Sequence, residues 1–204
     1  MRIRRQSAVS ACARRSLLLT APAHCLLTMS ATHTNIILIG FMGSGKSSIG
    51  KHVAQMLRFQ FVDTDALIVE RNGMPIAQLF ALHGEDHFRG LETNALESCR
   101  ELTRSVLATG GGVVLREKNR PLLRELGFVV QLTASEDVIY ERVSRNRKRP
   151  LLHTTNPRAT VHEMFTARQP LYDAVAQFTV NTTQLDHRAA AEVIIEAARV
   201  EFGW

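Results

Sequence analysis

The stretch Ile36-Ile37-Leu38-Ile39-Gly40-Phe41-Met42-Gly43-Ser44-Gly45-Lys46-Ser47 decides how this chain folds. Its leading apolar residues predict a buried strand, and the remainder matches G-x-x-x-x-G-K-S, a loop that binds phosphate between a strand and a helix. Glycines let backbone N–H groups curl around an anion at the positive end of the following helix. Lys46 would reach the β- and γ-phosphates, and the Ser47 hydroxyl would bind Mg²⁺. The alternative is a chance match, which the flanking strand and helix disfavour.

The composition favours one globular domain. The 204 residues are 45% hydrophobic, which is enough for a core. No run approaches the roughly 18 apolar residues that a membrane helix needs, so we expect no membrane partner. Cys12, Cys25 and Cys99 show neither C-x-x-C nor metal-ligand spacing. We therefore expect a reducing, cytoplasmic location, with Cys99 as a small buried side chain.

The net charge of +6 comes mostly from the first 34 residues, which contain five arginines and no acidic residue. Removing those five charges leaves +1 for the rest of the chain. The arginines are Arg2, Arg4, Arg5, Arg14 and Arg15. Because the rest is nearly neutral, the charge gives no support for a nucleic-acid partner.

Two interpretations of residues 1–34 remain open. A basic head without acidic residues is typical of a transit peptide. Alternatively, translation begins at Met29, shortly before the first strand at Asn35, and this interpretation is slightly favoured because the leader is then of ordinary length. In either case we expect residues 1–34 to be disordered or loosely held, and residues 35–204 to form a single domain.

Strands and helices alternate along the rest of the chain, which predicts a three-layer α/β/α fold with a parallel sheet. The predicted strands cover residues 35–39, 60–62, 105–109, 128–132 and 178–180. The predicted helices cover residues 47–57, 66–71, 75–84, 85–100, 117–126 and 189–200, with two more that begin at Glu136 and at a capping box formed by Thr160 and Glu163.

In a parallel sheet of this kind, ligands bind beyond the carboxyl ends of the strands. The phosphate-binding loop follows the first strand, Asp63-Thr64-Asp65 follows the second, and Gly110-Gly111-Gly112 follows the third. A basic cluster follows the helix after the fourth strand and contains Arg142, Arg145, Arg147, Lys148 and Arg149. We expect all of these segments to meet at one edge of the sheet.

The two aspartates after the second strand suit different tasks. Asp63 and Ser47 are the predicted Mg²⁺ ligands, because the third strand ends without a carboxylate. In an extended segment Asp65 would point the same way as Asp63 and would orient or deprotonate an acceptor hydroxyl. The alternative role for Asp65 is the N-cap of the following helix.

Arg89 and Arg168 lie apart from the phosphate-binding loop in the sequence. Arginine binds a planar carboxylate through two parallel hydrogen bonds, which lysine does not reproduce. An acceptor with hydroxyls and a carboxylate would use Asp65, the amides of the three glycines and these two arginines together. The alternative for Arg89 is a salt bridge with Glu85 or Glu92 on its own helix. The four-residue spacing of His83 and His87 is interrupted by Gly84, so we expect no metal there.

Six ordered motifs resemble those of shikimate kinases, from residue 35 to about residue 200. They are the loop at residues 40–47, Asp63-Thr64-Asp65, Phe88-Arg89 with Glu92, Gly110-Gly111-Gly112, Arg149-Pro150-Leu151-Leu152 and Arg168-Gln169-Pro170-Leu171-Tyr172. The resemblance implies a P-loop kinase fold with strand order 2-3-1-4-5 and a mobile lid at about residues 145–160. It implies transfer of the ATP γ-phosphate to the 3-hydroxyl of shikimate, in aromatic amino-acid biosynthesis. We also expect one Mg²⁺ ion and a monomeric protein.

The resemblance also implies roles for individual residues. Lys46, Asp65 and Arg149 would be catalytic, Arg149 in a lid over ATP, and Arg142 would pack against adenine. The residues expected to bind ATP are Gly43, Ser44, Gly45, Lys46, Ser47, Ser48, Arg142 and Arg149. The residues expected to bind shikimate are Asp65, Arg89, Gly110, Gly111, Gly112 and Arg168. Residues 181–185 lack the arginine that the family often carries near adenine.

Other classes of protein fit the sequence less well. A gluconate kinase or a nucleoside-monophosphate kinase would share the loop and the general fold, but the remaining motifs argue against both. A GTP-binding switch needs an Asn-Lys-x-Asp segment, which is absent. A catalytically inactive binding module is disfavoured because Lys46, Ser47, Asp63 and Asp65 are all present. The basic cluster could be a solvated face or an RNA contact, yet no aromatic residues interleave with it.

Overall fold

The computed structural model describes residues 34–144 and 156–204. Its strands are β1 (Ile36–Ile39), β2 (Gln60–Asp63), β3 (Ser105–Ala108), β4 (Phe128–Thr133) and β5 (Phe178–Asn181). All neighbouring strands are parallel, and their order in the sheet is β2-β3-β1-β4-β5. The expected parallel sheet and strand order are therefore confirmed.

Seven α-helices connect these strands within the described ranges. They are α1 (Lys46–Leu57), α2 (Thr64–Asn72), α3 (Ile76–Glu97), α4 (Asn119–Leu126), α5 (Glu136–Ser144), α6 (Pro157–Asp173) and α7 (His187–Phe202). A short 3-10 turn, Val113–Leu115, follows the three glycines after β3. None of these helices is long and apolar enough to cross a membrane.

The central strand β1 is buried on both faces of the sheet, which explains its continuous apolar run. Successive side chains of a strand point to opposite faces. Ile36 and Leu38 pack in a cluster with residues of α1 and α7, whereas Ile37 and Ile39 pack with residues of α3 to α6. Helices thus cover both faces, and the three-layer α/β/α architecture is confirmed.

Two helix N-caps differ from the sequence-based expectation. Helix α2 begins at Thr64 and its N-cap is Asp63, so the predicted alternative of Asp65 as the cap is wrong. Helix α6 begins at Pro157, where the Asn156 side chain accepts a hydrogen bond from Ala159 N–H, so the capping box at Thr160 is also wrong. In both cases a side-chain oxygen earlier in the chain reaches the orphan N–H groups of the first turn.

Gly84 separates two helical segments inside α3, as its place in the sequence predicted. Its φ of 78° and ψ of 176° interrupt the helix between His83 and His87, whose rings lie 4.7 Å apart between centroids. Cys99 is buried, in agreement with the expectation of a small apolar side chain.

Several expectations concern residues outside the described ranges. The head predicted at residues 1–34 lies there except for Thr34. The predicted lid lies there from residue 145 to 155, together with Arg145, Arg147, Lys148 and Arg149. The end of the predicted lid, residues 156–160, forms the N-cap and first turn of α6.

Candidate active site

A cavity of about 350 Å³ opens at the carboxyl edge of the sheet. It receives residues from the segments that follow β1, β2 and β3, and from α5 and α7. Its lining residues are Met42, Gly43, Gly45, Lys46, Ser47, Ser48, Asp63, Asp65, Thr109, Gly111, Arg142 and His187. The segments after β1, β2 and β3 thus meet at one edge as expected, together with Arg142, whereas the rest of the basic cluster lies outside the described residues.

The loop between β1 and α1 holds Lys46 in a fixed position. Lys46 Nζ donates hydrogen bonds of 2.8 Å to the Gly40 carbonyl and 2.9 Å to the Phe41 carbonyl, and the residue is only 9% exposed. Gly43 and Gly45 have φ values of 82° and 98°, a region that favours glycine. The loop therefore presents an ammonium group and the N-terminus of α1 to the same cavity.

Ser47 and Asp63 meet at the phosphate end of the cavity. Ser47 Oγ donates a hydrogen bond of 2.7 Å to Asp63 Oδ2. The other oxygen, Asp63 Oδ1, accepts from the N–H groups of Asp65 at 3.1 Å and Ala66 at 3.4 Å. A hydroxyl and a carboxylate side by side are the hard oxygen donors that Mg²⁺ selects.

Asp65 lies in the first turn of α2 and lines the same cavity as Asp63. It is therefore helical rather than extended, which corrects the predicted local geometry. Gly110 allows its close approach, because a Cβ there would stand 2.6 Å from both Asp65 Oδ1 and Glu92 Oε1. The Gly110 N–H also donates to Thr64 Oγ1 at 3.3 Å. The three-glycine turn is thus packed directly against the aspartate.

Arg89 is held by two carboxylates on α3. Its Nη1 donates to Glu92 Oε2 at 2.7 Å, and its Nη2 donates to Glu85 Oε1 at 2.7 Å. The predicted salt bridge therefore forms with both glutamates. Burial disfavours the charged guanidinium and lowers its pKa. The two carboxylates act more strongly in the other direction, so the pKa of Arg89 lies above its usual value. A Cβ on Gly112 would stand 2.0 Å from Arg89 Nη1, so this glycine makes room for the guanidinium.

Glu92 is almost fully buried beside this arginine. Burial raises the pKa of Glu92 above its usual value, while the charge of Arg89 and its hydrogen bond act in the opposite direction. Asp65 adds a second carboxylate charge nearby and raises the pKa further. The negative charge of this buried corner is therefore costly without a cation beside it.

Arg168 lies on α6 and faces the three-glycine turn. It is 9% exposed, its guanidinium lies 5.8 Å from the centre of the Phe41 ring, and its Nη1 donates to the Gly111 carbonyl at 3.4 Å. Tyr172, one turn further along α6, donates its hydroxyl to the same carbonyl. Gly111 is thus the point where α6 meets the cavity wall.

Arg142, at the end of α5, contacts the phosphate-binding loop and the segment after β5. Its Nη1 donates to the Gly43 carbonyl at 3.3 Å and to Thr182 Oγ1 at 3.2 Å, and its Nη2 donates to the Thr182 carbonyl at 3.1 Å. These hydrogen bonds hold the guanidinium in place where Arg142 lines the cavity.

Comparison with known proteins identifies the family of this chain. The family model described as "Shikimate kinase" matches residues 42–199. A shikimate kinase of Thermodesulfovibrio yellowstonii is 44% identical over 162 residues, which cover 79% of this chain and 93% of that protein. The chain belongs to the shikimate kinase family.

Solved structures agree with this assignment. A shikimate kinase from Acinetobacter baumannii, in complex with shikimate, has a TM-score of 0.80 and 36% identity over 84% of this chain and 96% of that one. A gluconokinase from Sinorhizobium meliloti has a TM-score of 0.53 and 20% identity over 83% of this chain and 95% of that one. The second likeness shows the shared fold alone.

The structure brings the sequence-predicted residues of this shikimate kinase family member into two groups. One group surrounds the phosphate-binding loop and contains Gly43, Ser44, Gly45, Lys46, Ser47, Ser48, Asp63 and Arg142. The other surrounds the three-glycine turn and contains Asp65, Arg89, Gly110, Gly111, Gly112 and Arg168. Arg149 lies outside the described residues.

Sequence reasoning missed two residues that organise this shikimate kinase site. Thr182 is buried in the segment after β5 and binds Arg142, and only the folded chain brings them together. Tyr172 belongs to one of the six motifs, but no separate role was predicted for it. Its spacing of four residues from Arg168 on one helix was the available signal, because such residues share a face.

Proposed function

We propose that this chain transfers the γ-phosphate of ATP to the 3-hydroxyl of shikimate and releases shikimate 3-phosphate and ADP. As a member of the shikimate kinase family, it is an ATP-dependent kinase that acts on a hydroxyl of shikimate. One observation carries the assignment of the site: a single cavity joins Lys46 and the phosphate-binding loop to Asp65 and Gly111. Both reactants of a phosphoryl transfer then lie within reach of each other.

The phosphate end holds the nucleotide in this proposal. The N–H groups of residues 43–48 and the start of α1 bind the phosphates, and Lys46 stabilises the group in transfer. Lys46 is already ordered by two backbone carbonyls, so little reorganisation is needed when ATP arrives. Arg142 packs against adenine, and its anchorage on Thr182 and Gly43 supports this role.

Ser47 and Asp63 fit one Mg²⁺ ion. Their oxygens lie 2.7 Å apart at the phosphate end of the cavity, and Mg²⁺ takes few protein ligands beside phosphate and water. When bound, the ion neutralises charge on the phosphate oxygens. Asp63 contributes its charge directly or through water, and Ser47 contributes its hydroxyl.

The acceptor lies against the three-glycine turn in this proposal. Asp65 accepts the hydrogen bond of the reacting hydroxyl and orients or deprotonates it. Arg89 and Arg168 bind the carboxylate, and the backbone N–H groups of residues 110–112 contribute further contacts. The two buried arginines offset the negative charges of Asp65 and Glu92.

The remaining assignments rest on the sequence. We place Arg149 in a lid over ATP within about residues 145–160, because a basic segment beside a phosphate site neutralises charge and closure excludes water. We propose that residues 35–204 form the catalytic domain and that residues 1–34 are an N-terminal extension outside it. We also propose a cytoplasmic location. We propose a monomer, because one chain supplies residues for both ends of the cavity.

A coupled assay of ADP release tests the proposed function. The purified protein is supplied with ATP and Mg²⁺ and, separately, with shikimate, gluconate or nucleoside monophosphates. We expect turnover with shikimate and a requirement for Mg²⁺. Turnover with gluconate but not with shikimate would contradict the proposal. Phosphorus NMR of the product identifies the hydroxyl that carries the phosphate.

A further inference from the structure

We propose that Tyr172 is a positioning residue of the acceptor site, acting through the carbonyl of Gly111. Its hydroxyl donates a hydrogen bond to that carbonyl, although the ring itself lies in the core beneath α6. Tyr172 does not line the cavity, whereas Gly111 does. Its influence on an acceptor is therefore indirect, and it rests on the proposed function of the three-glycine turn.

The Gly111 carbonyl receives two donors from one helix. Tyr172 and Arg168 lie four residues apart on α6, and Arg168 Nη1 donates to the same oxygen at 3.4 Å. The carbonyl is thus the shared anchor of a core side chain and of a guanidinium assigned to the acceptor carboxylate. A change in the position of this carbonyl would move the arginine as well.

The same contact fixes an amide of the three-glycine turn. A trans peptide unit is planar, so the direction of the Gly111 carbonyl also sets the direction of the Gly112 N–H. The turn has little freedom on its other sides, because a Cβ on Gly111 would stand 3.2 Å from Met42 N and one on Gly112 would collide with Arg89. Tyr172 therefore sets the orientation of a peptide packed between the phosphate-binding loop and Arg89.

The Tyr172 hydroxyl is suited to act as a permanent hydrogen-bond donor. The side chain is 1% exposed, and burial raises its pKa to about 12, although the neighbouring charge of Arg168 acts in the opposite direction. The hydroxyl consequently keeps its proton throughout the working pH range of an enzyme. A buried ring also has few alternative rotamers, so the donor stays in place when the cavity is empty.

Steady-state kinetics of Tyr172→Phe test this inference, because the substitution keeps the ring and removes only the donor. We expect the KM for shikimate to rise about 5- to 20-fold, as for the loss of one hydrogen bond. The KM for ATP should stay within about twofold and kcat within about threefold, since the phosphate end keeps its contacts. Equal changes in both KM values, or an unchanged KM for shikimate, would overturn the inference.

Tyr140→Phe is the matched control. Tyr140 is the other tyrosine of the chain, lies half-buried on α5 and packs under Arg158, whose guanidinium is 5.4 Å from the ring centre. Removal of the Tyr140 hydroxyl should leave the KM for shikimate unchanged. A rise equal to that of Tyr172→Phe would show that any tyrosine hydroxyl has this effect, which contradicts the proposal.

A double-mutant cycle separates positioning from general stability. Arg168→Lys and Tyr172→Phe remove two donors to one carbonyl, so the KM of the double variant should be lower than the product of the two single effects predicts. Independent, multiplicative effects would show that the two residues do not act through one carbonyl, and that result would overturn the inference.

A measurement that keeps the hydroxyl covers the case in which Tyr172→Phe does not fold. In Tyr140→Phe protein grown with 3-fluorotyrosine, Tyr172 is the one labelled residue. We expect its fluorine NMR signal to shift and saturate as shikimate is added, and the absence of a shift at saturation would contradict the inference. Wild-type turnover of shikimate, measured in parallel, tests the proposed function separately.

Discussion

Asp63 accepts the hydroxyl hydrogen bond of Ser47 on one carboxylate oxygen, at 2.7 Å, and caps α2 with the other. One side chain thus joins the start of α1, the end of β2 and the start of α2. The position of the candidate Mg²⁺ ligand is consequently fixed by secondary structure that exists without the ion. Two substitutions at this residue separate its two tasks.

We expect Asp63→Asn to weaken the use of Mg²⁺ while preserving the fold. Asparagine is as good an N-cap as aspartate, so the free energy of unfolding should change by less than about 0.5 kcal/mol. The loss of charge should raise the Mg²⁺ concentration for half-maximal activity by about tenfold or more. Urea unfolding and a Mg²⁺ titration of activity measure the two effects.

Asp63→Ala is the matched variant that removes both the charge and the cap. It should lose about 1 kcal/mol of stability more than Asp63→Asn does, because the N–H groups of Asp65 and Ala66 lose their acceptor. If both variants keep the Mg²⁺ requirement of the wild type, Asp63 is a structural cap alone.

We expect Asp65→Asn to reduce kcat by about 10²- to 10⁴-fold, the range found for loss of general acid–base catalysis. The carboxamide keeps the shape of the side chain, and ATP affinity should stay within about twofold because Asp65 is assigned to the acceptor. Asp137→Asn, at an exposed carboxylate on α5, is the control and should keep full activity. A large loss of ATP affinity in Asp65→Asn would instead place the residue at the metal.

Asp63 and Asp65 also show how much of the site can be predicted from the sequence alone. The spacing of Asp63 and Asp65 after an apolar strand was enough to predict that both reach one cavity, because strand ends meet at the sheet edge. Their local geometry was only partly predicted. Helix α2 begins earlier than its apolar pattern indicates, so Asp63 became the cap and Asp65 entered the first turn.

Contacts between segments that are far apart in the sequence could not be predicted from sequence patterns. The hydrogen bonds of Arg142 to Thr182 span 40 residues, and those of Arg168 and Tyr172 to Gly111 span 57 and 61. Such pairs depend on how α5 and α6 pack on the sheet. Local periodicity identifies helices but does not specify which side chain reaches which carbonyl.

We expect Arg168→Lys to raise the KM for shikimate about tenfold with little change in the KM for ATP. A lysine retains the charge but loses the two parallel N–H groups that match a carboxylate. Arg199→Lys is the control, because Arg199 is exposed on α7 and pairs with Glu196. An unchanged KM for shikimate in Arg168→Lys would remove this residue from the acceptor site.

We expect Gly112→Ala to raise the KM for shikimate about tenfold or more. The backbone at Gly112 has φ −103° and ψ 0°, which alanine adopts, so the effect comes from the new methyl group. That group would stand 2.0 Å from Arg89 Nη1, and Glu85 and Glu92 restrict where the guanidinium can move.

Gly90→Ala provides the control for this glycine substitution. Gly90 is in the same helix as Arg89. A Cβ added at Gly90 would have Arg116 Nη1 as its nearest neighbour, at 4.0 Å. Alanine there should stabilise the helix by about 0.5–1 kcal/mol and leave both KM values unchanged. Equal kinetic effects of the two alanine variants would show that Arg89 is not displaced selectively.

Glu92 gives the ligand-free protein a pH dependence whose sign follows from its raised pKa. The folded protein binds the Glu92 proton more tightly than the unfolded chain does, whose glutamates titrate near 4.5. The contribution of this residue to stability is therefore complete below about pH 4.5 and is lost as the pH rises through the folded-state pKa. Burial, which disfavours the carboxylate, is the main cause.

Glu92→Gln removes this titration while keeping the shape of the protonated side chain. Its free energy of unfolding, relative to the wild type, should increase as the pH rises from about 4.5 toward neutrality, whatever its value at low pH. Urea unfolding at several pH values measures this difference. Glu97→Gln, at an exposed glutamate whose pKa is lowered beside Arg100, should show the opposite slope below about pH 4.5 and little change above it. A difference for Glu92→Gln that falls with rising pH would mean that Arg89 outweighs burial and that the carboxylate is the favoured form in the fold.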